Sequence, residues 1–155
     1  MTKKFLAVLL FVFVSNHNCQ PLQLKSFAEI FDNIKAGAEV RAIIHYGNCK
    51  LFVEGKEEIP PEAIGGMELE TFEYFGKGSI KNDAAFISAS ETVLISHPKY
   101  GYVYNYIKIR IYDDNSVEII ARYLDPKSYE VKMDEIFRTK INNGKNEGAV
   151  FFYLD

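Results

Sequence analysis

The sequence contains no tryptophan, two cysteines and three histidines among its 155 residues. So few thiol and imidazole groups, without a recognisable spacing, predict no zinc site. No glycine-rich loop opens a helix, so the usual phosphate cradle of nucleotide-binding proteins is missing. No Asn-x-Ser/Thr triplet occurs, so N-glycosylation is not predicted. We therefore expect no metal and no cofactor.

Positive charge is also scarce. The 18 Lys and Arg residues are outnumbered by 21 Asp and Glu residues, and the formal net charge is −3. A mildly acidic chain has no overall attraction for nucleic acid or for an anionic membrane, so we predict no nucleic-acid partner. A hydrophobic fraction of 48%, with 14% aromatic residues, is sufficient for a packed core. The length suits one domain.

The N-terminal segment has the layout of a secretory signal. Lys3 and Lys4 precede an apolar run over residues 5–14, and the chain then turns polar. This run is too short for a membrane span, which needs ~20 residues. We predict a signal peptide over residues 1–19, with cleavage between residues 15 and 20. A single β-rich domain, residues 20–155, follows without a stable membrane span. The predicted location is secreted or periplasmic.

The fate of the cysteines depends on the cleavage point. If Cys19 stays in the mature chain, an oxidising compartment permits a Cys19–Cys49 disulfide. If Cys19 is removed, Cys49 is a lone thiol, a residue that usually behaves as a small buried apolar group. The sequence leaves both alternatives open.

One helix is predicted near the start of the domain. Ser26-Phe27-Ala28-Glu29 has the spacing of a capping box. Ala36-Gly37 ends the helix, because glycine readily adopts the left-handed conformation that closes helices. The apolar residues that recur between these signals with helical spacing are Leu24, Phe27, Ile30, Phe31 and Ile34.

After Gly37 the pattern alternates, which indicates β-strands. The predicted strands cover residues 40–46, 51–53, 67–75, 84–88, 92–96, 102–112, 117–124, 129–133, 136–141 and 149–154. Short strands separated by turns predict antiparallel pairing. The predicted fold is mainly β (β-rich α+β): an antiparallel meander forming a barrel-like or strongly curved sheet, with the helix packed on it. An open α+β sheet is the alternative. The long break containing Pro60 and Pro61 is the loop most expected to be functional.

The strand from Tyr102 to Tyr112 provides the candidate ligand-binding residues. One face is apolar, and the other carries Tyr102, Tyr104, Tyr106 and Arg110. Such a stripe could stack on a sugar, a base or another flat ligand. The structural alternative is cross-strand pairing of the aromatic rings, with their hydroxyls in water.

An enzymatic reading rests on weaker patterns. The strand predicted from Met67 to Phe75 would place Glu68 and Glu70 on one face ~7 Å apart, within the range of carboxyl separations found in glycosidases. Cys49 and His45 could form a nucleophile and base, although no orienting third group is evident. A solvated acidic strand explains the glutamates as well.

The chain resembles the VirK family. The resemblance rests on Tyr46-Gly47-Asn48-Cys49, on Gly66-Met67 with Leu69-Glu70-Thr71-Phe72 after it, on Tyr102 to Tyr112 with the turn Asp113-Asp114-Asn115-Ser116-Val117, and on Leu124-Asp125-Pro126. It extends from about Leu24 to Val131. Members are small secreted or periplasmic proteins without an established activity, so the resemblance implies location and architecture and supplies no catalytic residues. Pro60-Pro61 and the tail Val150-Phe151-Phe152-Tyr153 fall outside its pattern.

We predict a secreted or periplasmic, non-enzymatic binding module of the VirK type. Its ligand is expected to be small and apolar or aromatic, or else a protein partner. The site would be the interior of the curved sheet or the tyrosine stripe. A secreted hydrolase using the acidic strand or the Cys49/His45 pair is the alternative. Exposed strand edges also leave self-association open.

Overall fold

The computed structural model describes residues 21–154. The predicted signal peptide, its cleavage point and Cys19 lie outside these residues. Within them the chain forms one α-helix, α1 (Phe27–Lys35), one short 3₁₀-helix (Tyr46–Asn48) and eleven strands. The strands are β1 (Leu22–Leu24), β2 (Val40–His45), β3 (Lys50–Val53), β4 (Lys56–Glu58), β5 (Ile64–Glu68), β6 (Phe72–Phe75), β7 (Phe86–His97), β8 (Gly101–Tyr112), β9 (Ser116–Leu124), β10 (Val131–Lys140) and β11 (Val150–Leu154).

The helix forms where the capping pattern predicts it. The Ser26 hydroxyl accepts a hydrogen bond from the Glu29 backbone N–H at 3.3 Å, and the Glu29 carboxylate accepts one from the Lys25 N–H at 2.6 Å. The helix is closed by Gly37, whose φ of 84° is left-handed. Ile30 and Ile34 are buried, which confirms the apolar stripe.

The strands form two antiparallel sheets. The smaller sheet has the order β1-β11-β2-β5 and the larger one has the order β4-β3-β10-β9-β8-β7-β6. Buried residues of both sheets and of α1 belong to one apolar core, so the sheets pack face to face. The mainly β antiparallel class is therefore confirmed.

The described strands do not close into a barrel, so that part of the fold prediction is not confirmed. The two ends of the domain pair with each other, because β11 lies between β1 and β2. This pairing makes a separate small sheet, which covers the inner face of the large one. The edge strands β4 and β6 therefore stay apart.

Alternation along β8 fixes the two faces of the large sheet. Val103, Ile109 and Ile111 are at most 1% exposed and lie on the inner face of the large sheet, and Ile109 and Ile111 belong to the core shared with the small sheet. The even-numbered residues between them point to the outer face, because successive strand residues face opposite ways. Neighbouring β9 has the same pattern, with Val117 and Ile119 in the core.

Candidate functional site

A partly open cavity of about 290 Å³ lies between the two sheets, at one end of the packed core. Its floor is the inner face of the large sheet: Asn105, Ile107, Ala121, Tyr123, Met133, Glu135 and Phe137. Its roof is formed by Tyr46, Pro61, Ala63, Gly65 and Gly66. The cavity could hold about ten water molecules at ~30 Å³ each, or a ligand of similar size.

Strand register assembles the floor from three separate segments. Ile107 of β8 lies opposite Ala121 of β9, which lies opposite Glu135 of β10. In the adjacent row, Asn105 lies opposite Tyr123, which pairs with Met133. Paired residues share a sheet face, so these two rows form one continuous surface.

The loop that carries the two prolines supplies part of the roof, through Pro61 and Ala63. The Tyr46 N–H donates to the Ala63 carbonyl at 2.9 Å, and the Ala63 N–H donates to the Pro61 carbonyl at 2.9 Å. These bonds tie the loop to the end of β2. The loop therefore lines the cavity through Pro61 and Ala63, and its functional role stays a prediction.

Tyr46 reaches the cavity because position 65 is a glycine. A Cβ atom at Gly65 would lie 2.9 Å from Cε2 of Tyr46, closer than real contacts allow. The Tyr46 ring therefore packs directly against the backbone of β5 at Gly65. It also meets the Phe137 ring edge-on, with 4.8 Å between their centroids. Such aromatic pairs stabilise a fixed ring orientation.

The polar groups of the cavity have perturbed proton affinities. Burial, followed by the nearby acidic groups of Cys49, Tyr123 and Glu135, raises the pKa of Tyr46 to about 12. Burial, followed by repulsion from Glu58, raises the pKa of Glu135 above its ordinary value. Within residues 21–154, Glu135 forms no ion pair that would offset the desolvation of its carboxylate. The cavity thus combines a neutral phenol with a half-buried carboxyl group that lacks a cation.

The predicted tyrosine stripe lies on the opposite face of the sheet from this cavity. Tyr102 is 70% exposed, and Tyr104 stacks on Tyr129 with 6.2 Å between ring centroids. Arg110 pairs with Glu118 at 3.2 Å and lies over the Phe86 ring. Tyr106 is partly buried on the same face. Tyr102, Tyr104, Tyr106 and Arg110 do share a face, but they do not line the cavity, and their role in ligand binding stays a prediction.

The predicted acidic strand is two strands, so Glu68 and Glu70 do not share a strand face. Glu68 ends β5 in the small sheet, and Glu70 follows in the crossing to β6 in the large sheet. Both line an open groove of about 460 Å³. Glu68 pairs with Arg41 at 2.9 Å, and both side chains are about half exposed. The sequence pattern hid the break because Leu69 is apolar and buried.

Cys49 and His45 are close but oriented for packing. Cys49 is a free thiol, 6% exposed, and its sulfur lies 3.6 Å from the His45 backbone oxygen. Burial raises the pKa of the Cys49 thiol to about 11, so the thiol is protonated at neutral pH. The His45 ring packs on Phe151 at 5.1 Å.

In residues 21–154, no group of three or more His, Cys, Asp or Glu side chains is placed to hold a metal ion. No helix in this part of the chain has the length and apolar character needed to cross a membrane.

Sequence reasoning missed Glu135 as a site residue. On β10, Met133, Glu135 and Phe137 alternate with residues of the outer face. An acidic residue between two apolar residues of the core-facing set is the signal that could have identified it.

The sequence pattern of the VirK protein family matches residues 23–129, more than half of the chain. The chain belongs to the VirK family. The family match covers the cavity roof, β8 and β9, and ends before β10, which contributes Met133, Glu135 and Phe137 to the floor.

The crystal structure of a VirK family protein from Legionella pneumophila has the same fold. The two chains superpose with a TM-score of 0.63, over 84% of this chain and 97% of that one, at 16% sequence identity. No curated protein matches the sequence. The family and the fold are thus established, and the chemistry has to be argued from the residues.

Proposed function

We propose that this VirK family member is a secreted or periplasmic, non-enzymatic binding module for a small ligand with an apolar or aromatic body. The observation that carries the proposal is the cavity between the sheets, whose floor is formed mainly by apolar and aromatic side chains. Small-molecule sites are typically concave, mostly apolar and supplied with few polar groups. Export is inferred from Lys3, Lys4 and the apolar run after them.

The polar groups of the cavity narrow the chemistry of the ligand. Glu135 is half-buried without a cation, and Glu58 adds a second negative charge nearby. A positively charged or hydrogen-bond-donating group would offset the cost of desolvating Glu135. The faces of Tyr46 and Tyr123 are also suited to contact a cation. We therefore propose a ligand such as an arylalkyl amine, with its amine group toward Glu135.

The hydrolase alternative has less support. The Glu68 carboxylate is engaged by Arg41 on an open surface, where a surface ion pair is the simplest explanation. The Cys49 thiol faces a backbone carbonyl and its pKa is raised, whereas a nucleophilic cysteine needs a lowered pKa.

Filling the cavity is expected to abolish ligand binding. Ala121 lies on the cavity floor and is 9% exposed, so Ala121→Phe places a ring in the space available. NMR titration with 2-phenylethylamine should show shifts at Met133 and Tyr123 in the parent protein and a loss of affinity of at least about tenfold in the variant. If Ala121→Phe unfolds, Ala121→Leu serves as the milder filler.

The matched control is Tyr102→Ser on the outer face. Tyr102 is 70% exposed and far from the cavity lining, so its removal should leave binding unchanged. If Tyr102→Ser abolishes binding and Ala121→Phe does not, the ligand occupies the tyrosine stripe and the cavity proposal is wrong.

Glu135→Gln tests the proposed amine recognition. The variant should bind 2-phenylethylamine about tenfold more weakly, because a charge-assisted hydrogen bond is lost. Its affinity for the neutral 2-phenylethanol should change little. Equal losses for both compounds would show that Glu135 shapes the cavity without recognising a cation.

The same variant has an expected pH signature in the free protein. Because the folded pKa of Glu135 is raised, its carboxylate opposes folding once the pH rises through that pKa. Glu135→Gln should therefore have a higher Tm than the parent at pH 7. This difference should vanish at acidic pH, where the parent carboxyl group is protonated in both folded and unfolded states.

A further inference from the structure

The second half of β7 is an open sheet edge. β6 pairs only with its first four residues, Phe86 to Ala89. From residue 90 to residue 97, β7 is bonded to β8 on one side, and no described strand pairs with its other side. Residues 90–94 are exposed, including Val93 at 47% and Leu94 at 53%. These two apolar side chains point to opposite faces of the sheet.

The backbone groups that face outward can be identified from the ladder. The Asp113 N–H donates to the Ala85 carbonyl at 3.0 Å, and the β7–β8 register continues without a shift. In antiparallel pairs the direction of the backbone groups alternates from residue to residue. The odd-numbered residues of β7 therefore bond to β8. The even-numbered residues Ser90, Thr92, Leu94 and Ser96 therefore direct their backbone N–H and C=O groups toward the unpaired edge.

This edge lacks the usual protection against strand pairing. Natural edges are shielded by proline, by lysine, by bulges or by short length. Residues 90–97 contain no proline and no lysine, and the register shows no bulge. The single carboxylate, Glu91, lies near one end. An unprotected edge of this length favours addition of another strand.

We infer that residues 90–97 pair antiparallel with the same segment of a second copy of this chain, about a two-fold axis at Leu94. In this register Thr92 lies opposite Ser96 of the partner subunit, and Val93 lies opposite Ile95 of the partner subunit. The first pair places two hydroxyl groups opposite each other, and the second pair places two apolar side chains opposite each other. Both are favourable cross-strand pairs. The two copies then share one continuous sheet with an isologous interface.

Hydrogen-bond complementarity supports this register. It places Glu91 opposite His97 of the partner subunit. Within its own chain, Nδ1 of His97 accepts hydrogen bonds from the N–H groups of Lys99 at 3.2 Å and Tyr100 at 3.3 Å. The Nε2 atom therefore carries the proton and can donate to a carboxylate. A two-fold axis at Val93 would instead place Glu91 opposite an isoleucine.

Hydrogen exchange tests the pairing residue by residue in the purified protein. We expect the amides of Thr92, Leu94 and Ser96 to become at least about tenfold more protected as protein concentration rises, because only pairing with a second copy covers them. The amides of Val93 and Ile95 should be protected at every concentration, because they bond to β8. Sedimentation velocity should show a matching monomer–dimer equilibrium.

Leu94→Lys is the corresponding variant. It places two like charges directly opposite each other at the two-fold axis and should raise the dissociation constant at least about tenfold. Ile59→Lys is the matched control, because Ile59 is 93% exposed in the loop after β4. A parent protein that stays monomeric up to about 1 mM overturns the inference. A dimer that survives Leu94→Lys, or that leaves the three amides unprotected, also overturns it.

Discussion

Replacement of Phe152 by alanine is expected to lower the free energy of unfolding by about 3–5 kcal/mol. Phe152 is 0% exposed and lies at the centre of the small sheet, opposite Leu24 on β1 and Ala42 on β2. Its ring belongs to the core that joins both sheets. Its removal reduces the apolar area that is buried on folding and leaves a cavity that the neighbouring strands cannot fill, and both effects destabilise the folded state. The free energy of unfolding of a domain is typically about 5–15 kcal/mol, so the expected loss is a large fraction of the total stability.

Phe151→Ala is the matched control for this substitution. Phe151 is the adjacent residue of β11, faces the opposite side of the small sheet and contacts the His45 ring while partly exposed. Phe151→Ala should lower the free energy of unfolding by well under half as much as Phe152→Ala, because a partly exposed side chain buries less apolar area on folding. Urea denaturation, with midpoints compared at equal m-value, measures both. Equal losses would show that the face of β11 assigned to the core is the wrong one.

Local sequence signals predicted helix α1 and the β8–β9 hairpin, but β7 and β10 are each one continuous strand where the sequence predicted two. The capping residues around Ser26 and the left-handed Gly37 give helix α1 its ends. The β8–β9 hairpin follows from alternation and from a polar turn at residues 113–115. These features depend on residues close in sequence, where propensity and periodicity act directly. The resemblance of these sequence segments to the VirK family predicts membership of that family, and the family match over residues 23–129 confirms it.

Long-range pairing was beyond the same signals. The small sheet exists because the two ends of the domain meet, with Leu24 opposite Phe152. Alternation does not reveal which distant strands pair, so one curved sheet and two packed sheets give similar patterns. The sequence predicts one continuous strand through residues 69–71. The buried, apolar Leu69 continues the alternation of apolar and polar residues across the point where β5 ends.

The sequence predicts some of the segments that line the candidate cavity, but it does not predict that these segments come together. The sequence predicts a functional loop at Pro60 and Pro61, and an apolar face on the strand from Tyr102 to Tyr112. Their meeting depends on how the two sheets pack, with Gly65 and Gly66 of β5 across the cavity from the large sheet. Tyr46 joins them only because Gly65 lacks a side chain. Such close approaches are set by tertiary packing, which single-residue patterns do not encode.

Gly148→Ala is expected to be the most disruptive methyl addition in the chain outside the strands, at about 3 kcal/mol or more. A Cβ atom at Gly148 would lie 2.5 Å from the Ile141 carbonyl oxygen and 2.7 Å from that of Lys140. Both are backbone atoms of the β10 end, so no side-chain rotation relieves the clash. The loop is also held by hydrogen bonds from Asn142 to Gly148 at 2.7 Å and from Asn146 to Ile141 at 2.8 Å.

Gly144→Ala in the same loop separates this steric clash from backbone strain. Gly144 has φ 79° and nothing within 4 Å of its Cβ position, so alanine there meets only the left-handed penalty of about 1–2 kcal/mol. Because the Ala149 carbonyl beyond Gly148 accepts the His45 N–H at 2.9 Å, displacement of the loop should also weaken the start of β11 against β2. Hydrogen exchange at His45 should therefore accelerate in Gly148→Ala and stay unchanged in Gly144→Ala. If Gly148→Ala proves no more destabilising than Gly144→Ala, the loop does not pass as close to Ile141 as these contacts require.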